Sequence, residues 1–343
     1  RLPPVHTTHE RSRVHLKACT VCRNSEANVD IAAGAECFME GNSVFDGSRS
    51  GVLVGGCVTL RGGNSVFGHR HVNVCVQKGG VLLSSASSSA AVPVAAAEAA
   101  AGFGENDIPC RPPDSSDFSQ RSRRASKLVA ARSSSSGDDS HDGAGGVFAL
   151  NHDRIFKGQQ SGLWVQEGAL KVDLGHCEVF GNTSAGVDVS RGATAQLTGC
   201  TIRDCLKAGV LITGGVVRLH QNHIRRNGHA GVCIQEGGHG ECRGNLVCAG
   251  RQAGVWVREG SSVDMECDEV EGNAYANVDC ARGSLVRLVA CRLAFSQRSG
   301  IVVQGRAVLL GNALENNGVA GILVKRSRVG QQQQLHKEKK EGT

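Results

Sequence analysis

At 343 residues the chain could hold two or three globular domains, yet 46 glycines, 3% aromatic residues and six prolines exclude an ordinary aromatic-rich core. A formal charge of +6 argues against a nucleic-acid partner, and with no run of 18 apolar residues a membrane-spanning helix is excluded. The first residue is Arg1, not Met, so the chain is expected to be a piece of a longer or processed product.

Residues 1–83 carry the first copies of a repeat. Three short strands are predicted, Val29-Asp30-Ile31, Val52-Leu53-Val54 and Val74-Cys75-Val76, each preceded by Asn28, Gly51 or Asn73. Alternate residues of a strand face opposite ways, so the aliphatic flanks point inward and the middle residue points out. A second column, Cys19, Asn42 and Asn64, keeps the same period. In stacked coils such residues lie about 4.8 Å apart. Buried asparagines there can satisfy one another, and cysteine is the small apolar alternative.

Residues 84–145 break the repeat. Thirteen of the 17 residues from Ser84 to Ala100 are Ser or Ala, and Ser133–Ser136 is a serine run. Such a segment cannot bury enough apolar surface to order itself, so a disordered insertion is predicted. Within it, Arg123-Arg124-Ala125-Ser126 has the form of a basophilic-kinase site, or of a plain basic patch.

Residues 146–329 resume the repeat, with Gly146–Phe156 re-entering it. Blocks AGVDVSRGA from Ala185, AGVLITGGV from Ala208 and AGVCIQEGG from Ala230 show it most plainly. The position before the strand reads Gly162, Gly186, Gly209, Gly231, Gly254, Asn277, Gly300 and Gly321, and a bend with positive φ is predicted there. A further glycine follows many strands, as at Gly168, Gly192, Gly214, Gly237, Gly260 and Gly283. The second column continues as Cys177, Cys200, Asn222, Asn245, Cys267, Cys291 and Asn312. Residues 330–343 form a polar, low-complexity tail, expected to be disordered.

Two columns sharing one period of about 23 residues give the fold class. It is all-β, a right-handed parallel β-helix (a pectate-lyase-like solenoid) of about 11 coils with one long disordered insertion. A leucine-rich repeat would need Asn directly behind the strand, whereas here it lies a dozen residues away. The 15 cysteines follow the repeat and read as reduced, buried thiols, which favours the cytoplasm or nucleus.

No catalytic residue, metal site or cofactor is assigned, so the reading leans away from an enzyme. Gly238-His239-Gly240 resembles the G-H-G of polygalacturonases, but the carboxylates such enzymes place on neighbouring coils are missing in register. Asp188 and Asp279 are four coils apart, too far to act on one bond. Cys19-x-x-Cys22 is a lone pair, and His220, His223, His229, Cys242 and Cys248 lack zinc-like spacing. What remains is an outward stripe, Trp164, Asp188, Leu211, Trp256, Asp279, Val302 and Leu323, read as a binding surface or as a face covered by another segment.

The motifs AGVWVREGSSV at Ala253–Val263 and NHIRRNGHAGV at Asn222–Val232 resemble the parallel β-helix repeats of carbohydrate-binding and sugar-hydrolase type. The chain also resembles the β-helix F-box proteins, substrate receptors of cullin-type ubiquitin ligases, over about residues 14–83 and 146–329. No F-box is read in this chain. The resemblance implies a non-enzymatic protein-binding scaffold, a substrate-recognition part of such a ligase, with a protein partner. The alternative is a polysaccharide-binding or polysaccharide-modifying protein whose tryptophans stack on sugar rings, and a third reading is a structural rod.

Overall fold

The computed structural model describes residues 12–84 and 153–325. The insertion beyond Ser84, its Arg123–Ser126 motif, the re-entry before Asp153 and the tail 330–343 lie outside the described residues.

The described chain is a solenoid of 33 strands in three parallel sheets of eleven strands each, so every coil contributes one strand to each sheet. One coil shows the plan. Thr194–Thr198 lies in the first sheet, Thr201–Arg203 in the second and Val210–Thr213 in the third. No helix is found among the described residues. The stacking passes the insertion without losing a rung, because Arg154–Phe156 pairs with Ser65–Phe67 on one side and Glu178–Phe180 on the other.

Hydrophobic alternation sets the register. In the third sheet Val210, Leu211 and Ile212 pair with Val232, Cys233 and Ile234. A slip by one residue would turn every aliphatic flank outward. The flanks instead fill a continuous interior with Leu174, Leu197, Leu219 and Leu288 of the first sheet and Ile202, Ile224 and Leu293 of the second. Ile322 and Val324 depart from this: they stand at the last described rung, with none above among the described residues, and are exposed.

The glycine column before the third-sheet strands follows a different rule from the one expected. Gly186, Gly209 and Gly231 do not have positive φ. Close approach selects glycine there. A Cβ on Gly209 would stand 2.7 Å from the Gly231 carbonyl oxygen and 2.6 Å from Asn227 Nδ2. The glycines after the strand, such as Gly168, Gly192 and Gly237, do adopt positive φ, as expected.

The asparagine column is a hydrogen-bonded ladder. Asn222 donates through its backbone N and Nδ2 to Asn245 Oδ1 at 2.8 and 3.0 Å. Asn245 donates in the same way to Asp268 Oδ1 at 2.7 and 2.8 Å. The ladder residue of that coil is therefore Asp268, and the expectation for Cys267 is corrected. Cys267 takes the left-handed slot just before the ladder, with φ 56°, and is exposed. Asp153 plays the same terminal role above Asn42 and Asn64. An aspartate accepts without needing to donate onward, so each Asn-Asn run stops on one and the next rung carries a cysteine, Cys177 or Cys291.

The core and ladder cysteines, such as Cys37, Cys177, Cys200, Cys242, Cys280 and Cys291, are free thiols. Cys37, Cys242 and Cys280 serve as small core side chains, and burial pushes the Cys37 thiol up to about 11.

Candidate functional site

The middle residues of the third sheet do point away from the core, but the face is not the open stripe expected. Val302 of the expected set is buried at 2% exposure, and Cys75 and Cys233 are buried too, whereas Trp164, Asp188, Leu211, Trp256, Asp279 and Leu323 are half-buried. The cause is the turn before each strand. Residues four positions ahead of the middle residue rise beside the face and wall it into a trough. His71 packs edge-on to Trp164 with ring centroids 6.0 Å apart, and His229 lies 5.2 Å from the Trp256 ring. Ala208, Ala230 and Cys233 form a small apolar floor on which Leu211 and Trp256 pack.

Along the trough the middle residues run Asp30, Leu53, Cys75, Trp164, Asp188, Leu211, Cys233, Trp256, Asp279, Val302, Leu323. The order Asp, Leu, Cys, Trp repeats every four rungs, with Val302 and Leu323 as its only departures. The turn residues repeat with it. Trp164 has Gln160 four residues ahead, Asp188 on the next rung, and Lys207 ahead of the rung after that. Trp256 has Gln252, Asp279 and Arg298 in the same three places. Each set surrounds an open cleft, of about 550 Å³ at Trp164 and 440 Å³ at Trp256. These two clefts are here called stations.

The stations are alike in plan and differ in detail. Trp164 is fixed by donating its Nε1–H to Ser190 Oγ at 2.9 Å. Burial raises the Asp188 carboxyl to about 6, against the opposing effects of the Ser161 hydroxyl and Lys207. Trp256 carries the Arg258 guanidinium 5.1 Å over its ring. Burial also pushes the Asp279 carboxyl up, with Lys325 opposing. Its Oδ1 is shielded from solvent and has no hydrogen-bond partner among the described residues.

Other residues singled out in the sequence do not converge. His239 opens a first-sheet strand, with Nδ1 2.9 Å from Ser262 Oγ. Gly240 beside it faces the core, where a Cβ would meet Ile234 at 2.9 Å. His223 and Cys248 meet, Nε2 to Sγ 3.7 Å, but His220 lines a first-sheet groove, Cys242 is in the core and His229 stands at Trp256. No group of three or more potential metal ligands occurs among the described residues. Cys19 takes its ladder place, its backbone N donating to Asn42 Oδ1 at 2.9 Å, while Cys22 belongs to the second sheet. No helix among the described residues is long and apolar enough to cross a membrane.

Comparison with known proteins agrees with this architecture. A family model described as "Right handed beta helix region" matches residues 161–330. This stretch is a right-handed β-helix region. The β-helix is similar to the A-module of a mannuronan C-5 epimerase from Azotobacter vinelandii, at 10% identity over 92% of this chain and 91% of that one, TM-score 0.49. It is similar to a mutant of the periplasmic alginate epimerase AlgG, at 10% identity over 85% and 76%, TM-score 0.43. It is also similar to tailspike protein 2 of the Escherichia coli bacteriophage CAB120, at 11% identity over 86% and 39%, TM-score 0.40. With TM-scores under 0.5 these similarities carry no argument about this chain. No curated protein matches the sequence. None of these matches is an F-box protein, so the ligase link expected from the repeat motifs gains no support.

Proposed function

We propose that the β-helix binds a linear polysaccharide in the trough of its third sheet. The observation that carries this is the lining of the Trp164 cleft. An aromatic ring sits among neutral donors and acceptors, chiefly Gln159, Gln160, Thr183, Ser184 and Thr213. A sugar offers an apolar C–H face to stack on such a ring and hydroxyls that both donate and accept, which amides and hydroxyls match. A protein partner would favour a contiguous apolar core patch, whereas among the described residues the buried Cys75, Cys233 and Val302 interrupt the accessible apolar positions of this face.

The reading is one of binding. Asp188 and Asp279 are four rungs apart, about 19 Å at the strand spacing. A carboxylate pair acting across one glycosidic bond stands within about 5–9.5 Å.

The test is retention of the protein on pectin, alginate and chitin by affinity electrophoresis. Wild type is expected to be retarded by at least one polymer, and the Trp164→Ala, Trp256→Ala double variant to lose at least about tenfold in affinity, about 1.4 kcal/mol. Equal retardation of a folded double variant, or wild type retained by none, would reject the reading.

A further inference from the structure

The two stations are related by translation along the solenoid axis. They share one face, one column and one set of residue types, and four rungs separate them. A ligand that satisfies both must present the same group twice, in the same orientation, about 19 Å apart along a line. A compact molecule does not do this, and an extended polymer laid parallel to the axis does.

The rung spacing sharpens the match. A hexopyranose unit advances an extended chain by about 5 Å, close to the strand spacing of 4.7–4.9 Å. Units n and n+4 of such a chain would then fall on Trp164 and Trp256. Four is an even number, so even a ribbon whose units alternate in facing offers the same face at both stations. Between them the floor is the apolar pair Leu211 and Cys233.

We infer that the trough engages its ligand bivalently, through a station at Trp164 and an equivalent one at Trp256, so that tight binding requires a linear oligosaccharide of at least five units. This rests on the polysaccharide reading and adds a length threshold to it. Shorter oligomers occupy one station at a time. Once the chain bridges both, the second contact becomes intramolecular and affinity rises without any new type of contact.

Titration calorimetry with oligomers of two to eight units prepared from alginate, pectin and chitin tests this. Wild type is expected to gain at least tenfold in affinity between four and six units of whichever series binds. Trp164→Ala and Trp256→Ala, each with one intact station, are expected to bind the hexamer no more tightly than wild type binds the trimer. Gln160→Ala and Gln252→Ala provide the same comparison with little risk to folding, since both side chains are exposed. Each is expected to shrink the step. Affinity that is flat or climbs evenly with length, or a full step surviving in every single-station variant, overturns the bivalent inference and leaves the polysaccharide reading standing. Failure of every polymer and oligomer to bind overturns both.

Discussion

Replacing Gly209 with alanine is expected to lower the unfolding free energy by about 2–3 kcal/mol, and replacing it with valine by more. Gly209 sits in the buried column ahead of the third-sheet strand, where each rung lies on the next. Its own N donates to the Ala230 carbonyl at 3.1 Å, and the Gly231 carbonyl accepts from Val210 N at 2.9 Å. The added methyl would meet that carbonyl, Asn227 Nδ2 and Ile224 Cγ2, all within 2.7 Å. The carbonyl is held by Val210 N, Asn227 Nδ2 donates to the Ile202 carbonyl at 3.4 Å, and Ile224 is packed in the core, so relief requires separating the rungs. Gly237→Ala is the control. Gly237 has φ 80° and only open space near its Cβ position, with the Gly260 carbonyl 4.0 Å away. That change costs only the left-handed strain of an L residue, about 1 kcal/mol. Urea denaturation of both variants checks the contrast. A Gly209→Ala change as mild as Gly237→Ala would mean that rung contact is not what selects glycine in this column.

Replacing Asp268 with asparagine is expected to stabilise the protein above pH 7 and leave it nearly unchanged at pH 4. Asp268 is fully buried, and burial raises its carboxyl from the ordinary 3.8 to about 7. Between those values the folded chain keeps a proton that the unfolded chain has released, so the folded state binds more protons. Stability from this group therefore falls as pH rises from about 4 to 7, by about 4 kcal/mol in all, and is flat above that. Asparagine stays neutral throughout. It keeps an Oδ1 acceptor for Asn245, and its Nδ2 would face the Cys242 carbonyl, the register equivalent of the Leu219 carbonyl that Asn245 uses. The backbone N of Glu266, which donates to Asp268 Oδ2 at 3.2 Å, loses a partner, a smaller cost at every pH. His69, buried and with its pKa lowered by that burial, and His223, lowered to about 4, act in the opposite sense, with stability lost as pH falls below about 6.5. The difference between wild type and variant isolates Asp268 from them. Parallel pH profiles of thermal unfolding would show that this carboxyl does not hold its proton in the fold.

The solenoid was legible because stacking forces one rule on every coil. Flanks such as Val187/Val189 and Val255/Val257 repeat at one spacing, and nothing but a shared interior demands that. The errors fall where two physical causes leave the same letter. Glycine marks both left-handed turns and close contacts, so Gly209 and Gly237 read alike in sequence although only the second has positive φ. The Cys267 slip came from a column that accepts Asn, Cys and Asp, next to a slot that tolerates positive φ. Trp164, Asp188, Trp256 and Asp279 were visible as an outward column, but the walls were not. Gln160, Lys207, Gln252 and Arg298 lie in turns, outside strand alternation. The signal that finds them is the four-rung recurrence of the residue four places ahead of each middle position.

The chain contains only two tryptophans, one in each station. Their fluorescence therefore reports on the trough and on no other part of the protein. Titrating the protein with the polymer that retains it, while following emission and acrylamide quenching, is the most direct test of where the ligand lies. If the trough is the binding face, emission should change saturably and both tryptophans should become protected from the quencher. Saturable binding of polymer that leaves emission and quenching untouched would place the ligand elsewhere and contradict the assignment of the third-sheet face.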